Sequence, residues 1–561
     1  MRSKYLFSLA VILIASVVAV LFQYYTGGMQ RAEPVTITRN DHPRLVVALV
    51  PLDSRPPCTQ FVDQLARLAG MELLLPPPEL LDSYKQPSDK MALRNWLSQA
   101  ARRSDAIIVS TDMLEHGGLL ASRLNLGAKA DSDAVLALLE DVHKAYPQVK
   151  LYAFHIIPRL LIADSADSAL YQQKMLKYSV LKDEISLFEN PADIDAFLAL
   201  EKTIPAELVS RYRQLYENNL EENFKLVDLV EQGVLDGLVI GQDDGQPFGL
   251  PNMVKKRVSH YVSQKPAIDG KVFVTRGTDE VALTLLGHIA NQTGGFEPKV
   301  YVQYSDSEAP GIIMPFMPHS VSRTVQEKLE IAGARAVFAP DDADYTLFVH
   351  IGTHKTTPAR LQAAARTVNQ LVKSGRKVAV VDLSEDYYAH ETLLPYLLKE
   401  GVDLTRLAAY AGWNTTSNSI GTAVTQASIF TQALQAELPA AAALRLYKYQ
   451  LEFLTARYLD DWYFQKDVQP LVNNQLRKAR IDANDLGANF TRVDTQIRSL
   501  LADRADALFR QALQHRRIVV GRPQDQRTLV ITSLSLESHL PWQRTFEILV
   551  NPSLSFAAAP D

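Results

Sequence analysis

The chain has 561 residues, a hydrophobic fraction of 47% and a formal net charge of -5 at pH 7. At roughly 100–200 residues per domain, this length predicts three or four structural units, and the composition is typical of a globular protein with a sizeable core. The small negative charge gives no reason to expect a nucleic-acid partner. Because Cys58 is the single cysteine, an internal disulfide and a multi-cysteine zinc site are excluded.

The N-terminal part contains an uncharged apolar run from Tyr5 to Phe22, which two basic residues precede. About 20 apolar residues span the roughly 30 Å hydrocarbon core of a bilayer, and positive charge before such a run favours a cytoplasmic N-terminus. We therefore expect residues 1–25 to form a single-pass anchor in the inner membrane. The globular part would then be extracytoplasmic (periplasmic), joined by a linker at residues 26–42. A cleaved signal segment, which would release the protein into the periplasm, is the alternative.

Short apolar β-type runs alternate with amphipathic helical stretches after the linker. The runs show little internal polar alternation, which is typical of strands that are buried on both faces of a parallel sheet. The eleven candidate strands are Leu45–Pro51, Met71–Leu75, Ala106–Thr111, Lys150–Ile157, Gly237–Gly241, Lys271–Thr275, Lys299–Tyr304, Ala334–Ala339, Tyr345–Ile351, Lys377–Asp382 and Leu407–Ala411.

Strands that alternate with helices predict right-handed βαβ units and an α/β fold. Because eleven strands exceed one eight-stranded barrel, we predict two doubly wound, mostly parallel Rossmann-like domains, at residues 43–295 and 296–425. A charged helical stretch near residues 165–233 is predicted to be an insertion in the first domain. Residues 426–561 are predicted to form a helical C-terminal region with an extended tail. A β/α barrel with additions is the alternative.

Charged side chains follow most of the candidate strands. In parallel α/β folds the carboxyl ends of the strands open on one edge of the sheet, where ligands bind. Helix capping explains any single Asp equally well, but capping requires neither adjacent carboxylates nor an Arg beside them. We therefore predict one cleft that gathers these groups. The candidates from the first domain are Asp53, Arg55, Asp112, Arg123, Asp243, Asp244, Arg276 and Asp279.

The segment Gly412–Gly421 follows the last candidate strand of the second domain and combines an aromatic ring with amides and hydroxyls. An exposed Trp face beside amide donors and acceptors suits a sugar ring. We expect Trp413, Asn414 and Asn418 to bind substrate from this side of the cleft. A tight loop that satisfies its own polar groups is an equally good explanation.

Two segments carry a specific resemblance to a known family. Ser110–Arg123 contains Asp112-Met113-Leu114 followed by Gly117-Gly118-Leu119, and Ala409–Gly421 contains Gly412-Trp413-Asn414-Thr415. With further segments spread over the chain, they resemble DUF4127, a bacterial family of unknown function. The resemblance implies one family-wide site and no settled activity. His116 stands where family members often have tyrosine, which gives it little weight as a catalyst. The further segments are Pro51–Pro56, Gly241–Gly249, Arg276–Leu283 and Pro541–Glu547.

Clustered carboxylates support two kinds of chemistry. Two carboxyl groups that face each other can divide into acid and base, because burial and repulsion separate their pKa values, as glycoside hydrolysis requires. They can equally hold a divalent cation through oxygen ligands, so a divalent-cation cofactor is compatible with the pattern, although we assign no metal ligands. His155 and His350 could complete a transition-metal site, but each is more often a hydrogen-bonded structural residue.

The leading hypothesis is an extracytoplasmic hydrolase of a carbohydrate-containing substrate, for which cell-envelope glycan is one candidate. Asp112 with Asp243 or Asp244 would form the acid/base pair, and the remaining candidates would bind a small-molecule or glycan substrate. A non-catalytic periplasmic ligand-binding protein with a two-lobed cleft and a membrane-tethered scaffold are the alternatives. The sequence has no P-loop, no Gly-x-Gly-x-x-Gly after the first strand and no Gly-x-Ser-x-Gly elbow, which removes support for nucleotide-driven, standard NAD and serine-esterase functions.

The anchor prediction can be tested by a topology assay. A reporter fused after Asp561 should be active only outside the cytoplasm, and the protein should fractionate with membranes, because the apolar run holds it in the bilayer. Recovery of the protein from the soluble cytosol would contradict the anchor. A mature chain that starts near residue 30 would favour the cleaved signal segment instead.

Overall fold

The computed structural model describes Val35, Ile37 and residues 42–124, 129–161 and 170–559. These residues form two open parallel sheets surrounded by helices and a third, antiparallel sheet. The expected anchor at residues 1–25 lies outside them. Within the described ranges, no helix has both the length and the apolar character needed to cross a bilayer.

The first sheet has six parallel strands in the order β2-β1-β3-β4-β5-β6. Its central strands are apolar and buried along nearly their whole length, because helices cover both faces of the sheet. The strands are β1 Val46–Val50, β2 Glu72–Leu74, β3 Ala106–Ser110, β4 Lys150–Ile157, β5 Gly237–Gln242 and β6 Val272–Val274.

Helices connect these strands, and three of the described helices lie between β4 and β5, where a simple crossover has one. These three lie within the stretch near residues 165–233 for which a helical insertion is expected, and the longest of them packs against β4 and β5. The helices are α1 Gln60–Leu68, α2 Lys90–Ala100, α3 Thr111–His116, α4 Leu119–Leu124, α5 Lys129–Ala145, α6 Gln172–Phe188, α7 Pro191–Glu201, α8 Ala206–Glu231, α9 Leu250–Ser263 and α10 Val281–Thr293.

The second sheet has five parallel strands in the order β11-β10-β9-β7-β8. In both sheets the chain first moves outward to one side of the opening strand and then returns to build on its other side, which is the doubly wound pattern. The elements are β7 Lys299–Tyr304, α11 Val321–Ile331, β8 Arg335–Val337, β9 Tyr345–Gly352, α12 Pro358–Lys373, β10 Val378–Ser384, α13 Leu394–Glu400, β11 Ala409–Ala411 and α14 Thr416–Ala433.

This architecture confirms the predicted fold class. All eleven candidate strands exist, and they fall into two open, doubly wound sheets rather than one closed barrel, so the barrel alternative is wrong. The first sheet ends at Val274 and the second begins at Lys299. The proposed end of the second domain, at residue 425, falls inside α14.

Helix α14 joins the two halves of the molecule. Every residue from Thr416 to Thr431 is buried, although much of this stretch is polar. The helix packs against α10 and α11 and against the second sheet. A Cβ added at Gly421 would lie 2.6 Å from Glu280 Cγ, and one at Gly287 would lie 2.9 Å from Thr425 Cγ2. Glycine at both positions therefore permits a close crossing of α10 and α14.

The C-terminal region packs against the second sheet and ends in an antiparallel sheet of order β12-β13-β14, which is the predicted extended tail. Two π-helical segments occur in it, at Tyr458–Val468 and Phe509–Leu513. The other elements are α15 Ala440–Arg457, α16 Gln469–Lys478, α17 Phe490–Leu508, β12 Arg517–Val520, β13 Arg527–His539 and β14 Leu549–Ala558.

An aromatic cluster in the shared core contains Trp413. Its ring packs edge-to-face on Phe61 of α1, with ring centroids 5.5 Å apart, and Phe61 also meets Phe453 of α15 at 6.0 Å. The fully buried guanidinium of Arg457 lies 3.5 Å from the Phe61 ring centroid. Trp413 is only 5% exposed. The expectation that Trp413 covers the substrate is therefore corrected: tertiary packing places its ring in the core.

We expect Trp413→Ala to destabilise the protein by about 3–5 kcal/mol, because it removes a large buried ring and leaves a cavity. Denaturant unfolding measures this loss. The matched control is Trp96→Ala, whose ring is only partly buried, and it should cost less. An unchanged unfolding free energy for Trp413→Ala, accompanied by weaker ligand binding, would restore the role of the ring as a binding platform.

Candidate functional site

A cleft of about 770 Å³ opens at the carboxyl ends of the first sheet. The first sheet supplies its floor, and the segments around Phe316 and Asn414 of the second half supply one side. The C-terminal region closes another side. Of the predicted site residues, those that line the cleft are Arg55, Arg123, Asp243, Asp244, Arg276, Asp279, Asn414 and Asn418.

A buried ion bridge forms part of the floor. Arg55, directly after β1, donates to Asp53 Oδ2 at 2.5 Å and to Asp279 Oδ1 at 2.6 Å. Burial disfavours the charge, but the carboxylates of Asp279 and Asp53 outweigh it and raise the pKa of Arg55 above its ordinary value. Asp53 is 1% exposed and does not line the cleft, so it holds Arg55 in position from the side that faces away from the cleft.

Cys58 lies beside this bridge, and its potential ligand atom is within 4.8 Å of those of Asp53 and Asp279. Burial, together with the nearby carboxylates, raises the pKa of Cys58 well above its ordinary value. The side chain is therefore a neutral thiol and not an activated nucleophile. Arg55 already pairs with both carboxyl groups, so we assign no metal ion to this group.

Asp243 and Asp244, directly after β5, differ in environment. Asp243 Oδ2 accepts charge-assisted hydrogen bonds from Arg123 Nε at 2.8 Å and Nη2 at 2.5 Å. Burial and repulsion from Asp243 raise the pKa of Asp244 to about 7, against the opposing effect of Arg123 and Arg159. The cleft therefore contains one ion-paired carboxylate and, next to it, a carboxyl group that retains its proton near neutral pH.

Asp82 is a cleft residue that the sequence reasoning missed. It lies eight residues beyond β2, whereas the predicted site residues were chosen because they directly follow a strand. Its Oδ1 accepts from the Ser54 backbone N–H at 2.7 Å, and burial with repulsion from Asp53 raises its pKa to about 8. Gly118, with φ of +124°, permits the close approach, since an added Cβ would lie 3.0 Å from Asp82 Oδ2.

Arg276, after β6, anchors another part of the wall. One guanidinium nitrogen donates to Gln242 Oε1, and the other lies 2.7 Å from His319 Nε2. Burial lowers the pKa of Arg276 to about 10, so it remains charged at neutral pH. Its Nε is buried and has no hydrogen-bond partner among the residues that the structure describes, which leaves one donor for a ligand.

Asn414 and Asn418 reach the cleft from the second half, as predicted for this segment. Asn414 adopts a left-handed backbone conformation, with φ of 50°, at the turn between β11 and α14. Asn418 Nδ2 lies 3.5 Å from Asp279 Oδ2, which links α14 to the floor. The Oδ1 atom of Asn418 is buried without a partner within the described ranges. The cleft therefore offers both an amide acceptor and the Arg276 donor.

An aromatic and cationic wall comes from the connection between β13 and β14. The Arg544 guanidinium lies 4.8 Å from the Trp542 ring centroid, 4.9 Å from that of Tyr84 and 5.1 Å from that of Phe546. Glu547 holds this guanidinium through a hydrogen bond at 2.5 Å. The sequence reasoning gave this wall no role, although the alternation of Trp542, Arg544 and Phe546 along an extended segment was a usable signal.

Asp112 does not join the cleft, which corrects its predicted pairing with Asp243 or Asp244. Its side chain is 1% exposed and turns toward β4, where Oδ2 accepts from the Ile156 backbone N–H at 3.0 Å. Burial raises its pKa to about 6, with a further contribution from Glu222. The reason is local: Asp112 lies in the first turn of α3, and that face of the helix packs on β4 and not on the cleft.

The two histidines considered for a transition-metal site lie on different sheets. His155 on β4 is fully buried, and its ring nitrogens meet Thr111 Oγ1 at 2.7 Å and Asn219 Nδ2 at 2.8 Å. His350 on β9 lies 2.9 Å from the backbone oxygen of Glu391. Neither lines the cleft, so they do not complete a metal site there.

Comparison with known proteins identifies a family for the chain. No curated protein matches the chain. Residues 47–551 match the model of a family described as "Protein of unknown function (DUF4127)". This range contains both sheets, the shared helix α14 and the aromatic wall of the cleft. The chain therefore belongs to the DUF4127 family.

Proposed function

We propose that the protein is an extracytoplasmic hydrolase that cleaves a glycosidic bond in a carbohydrate-containing substrate. Cell-envelope glycan is the substrate class to test first, since the apolar run Tyr5–Phe22 favours a position outside the cytoplasm. The observation that carries the proposal is the adjacent pair Asp243 and Asp244 on the cleft floor.

This pair supports the acid and base roles that glycoside hydrolysis needs. A general acid must keep its proton at working pH, and Asp244, with its pKa raised to about 7, meets this condition. Asp243, which Arg123 binds, would provide the carboxylate that activates water or stabilises a developing positive charge on the sugar. The two roles differ because Arg123 pairs with Asp243, whereas Asp244 has no ion pair among the described residues.

The walls of the cleft support a sugar-like ligand. Phe316 is 48% exposed and Phe546 is 46% exposed, and both line the cleft. Aromatic rings that face a ligand site offer an apolar surface, while the amides of Asn414 and Asn418 suit hydroxyl groups. The guanidinium of Arg276 adds a site for an anionic substituent. The cleft volume of about 770 Å³ lies within the usual range for small-molecule sites.

A non-catalytic periplasmic ligand-binding protein is the rival function, because a cleft between two α/β sheets also suits a receptor. A receptor for a neutral sugar gains nothing from a carboxyl group with a pKa near neutrality. The scaffold function has less support, since the C-terminal helices bury their apolar residues against the second sheet.

We expect Asp244→Asn to lower turnover by about 100-fold or more, because the amide keeps the size of the side chain and cannot donate the catalytic proton. Full-length protein would be assayed against envelope glycan fragments and a panel of chromogenic aryl glycosides. Asp269→Asn is the matched control, since Asp269 is exposed and precedes β6 at the opposite end of the sheet. Tight glycan binding by the unmodified protein, with no turnover of any substrate, would favour the receptor.

The pH dependence gives a second test. Because the protonated form of Asp244 is the active one, kcat/KM should be half-maximal near pH 7, reach its plateau about one pH unit lower and fall by about tenfold per pH unit at higher pH. This fall in kcat/KM at alkaline pH should be absent from the residual activity of Asp244→Asn, because the asparagine side chain has no titratable proton. A rate that rises through pH 7 would assign Asp244 as a base and contradict its role as the acid.

A further inference from the structure

A second group of titratable side chains lies outside the cleft, between the short helix α3 and the insertion helix α8. Glu115 and His116 end α3, and Glu222 faces them from α8. One potential ligand atom from each of the three lies within 4.8 Å of the other two. Glu115 is 3% exposed and Glu222 is 7% exposed, while the side chain of His116 is 10% exposed.

These three side chains leave polar atoms unsatisfied. Glu115 Oε1, Glu222 Oε1 and His116 Nδ1 are buried and have no hydrogen-bond partner in the described part of the chain. Buried polar atoms nearly always have a partner, and an unpaired one costs free energy. Three side chains that converge from two helices, each with an unsatisfied polar atom, therefore point to a missing ligand.

The nearest cations are engaged elsewhere. Lys90 Nζ donates to Asp131 at 2.6 Å and to the backbone oxygen of Glu115 at 3.1 Å. Arg94 donates to Asp131 at 2.8 Å and to the backbone oxygen of Leu114 at 2.8 Å. None of these hydrogen bonds reaches a carboxyl group of the three side chains. Among the described residues, no Lys or Arg side chain therefore bonds the carboxyl group of Glu115 or Glu222.

We propose that Glu115, His116 and Glu222 bind a divalent transition metal, with Zn²⁺ as the ion whose preferences the donors fit best. Zinc accepts imidazole nitrogen and carboxylate oxygen, whereas Mg²⁺ and Ca²⁺ take oxygen ligands. Two ligands that are each about 2.1 Å from one ion are at most about 4.2 Å apart, so the three side chains need only a small rotamer adjustment.

A buried histidine lies beside this site. His155 lies between it and Asp112, with Nε2 3.6 Å from Glu222 Oε2 and Nδ1 3.6 Å from Asp112 Oδ2. Both distances are longer than a hydrogen bond, and the ring nitrogens bond to Thr111 and Asn219 instead. The partly exposed ring of His116 gives an ion a route from the surface.

The site would brace the wall of the cleft. Ser110 Oγ accepts from the Met113 backbone N–H at 3.3 Å and begins α3, and Gly117, with φ of 92°, ends it. Gly117 lines the cleft directly after His116. An ion between α3 and α8 would tie this wall to the helical insertion. The inference is independent of the proposed hydrolase activity, since neither Glu115 nor Glu222 lines the cleft.

The competing explanation is a proton shared by the two carboxyl groups. Burial and the contact with Glu222 raise the pKa of Glu115 well above its ordinary value, which a shared proton would satisfy without a metal. A measurement of metal binding separates the two explanations, because a proton-sharing pair has no stoichiometric affinity for zinc.

The test uses the full-length protein with its affinity tag removed, since histidine tags bind zinc. After treatment with a chelator, we expect calorimetric titration with Zn²⁺ to give one site per chain of micromolar or tighter affinity, and elemental analysis to find one retained ion. Glu115→Gln and Glu222→Gln should each weaken binding by about 100-fold or more, since even outer partners of a metal site contribute about 10–100-fold. Glu221→Gln, at the exposed neighbouring position on α8, should leave the affinity unchanged.

Absence of a zinc site in the unmodified protein would overturn the proposal, and so would zinc affinities of Glu115→Gln and Glu222→Gln that equal that of the unmodified protein. If the variants fail to fold, X-ray absorption of the zinc-loaded unmodified protein still decides. One imidazole with carboxylate oxygens around the ion supports the site, and a shell without imidazole contradicts it. Each of these readouts is independent of glycan turnover.

Discussion

The ion bridge from Asp53 through Arg55 to Asp279 is the interaction on which the cleft depends. It connects the turn after β1 to the turn after β6, and both turns form the floor. All three side chains are at least nine-tenths buried, so the loss of Arg55 would leave two carboxyl groups without their cation, at a cost of about 3–5 kcal/mol by comparison with other buried pairs. Asn418 contacts Asp279 from α14, so the same bridge also positions the second half of the molecule.

Pairing within the cleft decides which acidic groups keep a proton. Arg55 and Arg123 each bind a carboxyl group through a charge-assisted hydrogen bond. Asp244 and Asp82 lie near these paired groups, and burial and repulsion shift their pKa values upward. The arginines therefore divide chemically identical side chains into two kinds, those that pair with a cation and those with a raised pKa.

The cleft is complete only when distant parts of the chain come together. The floor comes from strands near the start of the described chain, one side comes from α14, and the aromatic wall comes from the connection between β13 and β14. Trp542 Nε1 donates to Ser54 Oγ at 3.0 Å, a contact between residues 488 positions apart. Because Trp413, Phe61 and Arg457 join the same three parts in the core, folding of the core and assembly of the cleft are coupled.

The sequence by itself determined the elements and their class, because apolar periodicity is local and a strand such as Lys150–Ile157 is visible in its own residues. It also located Asp243, Asp244 and Arg276, since the carboxyl ends of parallel strands share an edge whatever the details of packing. Only the tertiary structure decided where a side chain at such an edge points. Asp112 faces β4, Trp413 fills the core, and Asp82 and Trp542 reach the cleft through contacts over long distances in the chain. These outcomes depend on which surfaces meet in the folded molecule, and no local pattern contains that information.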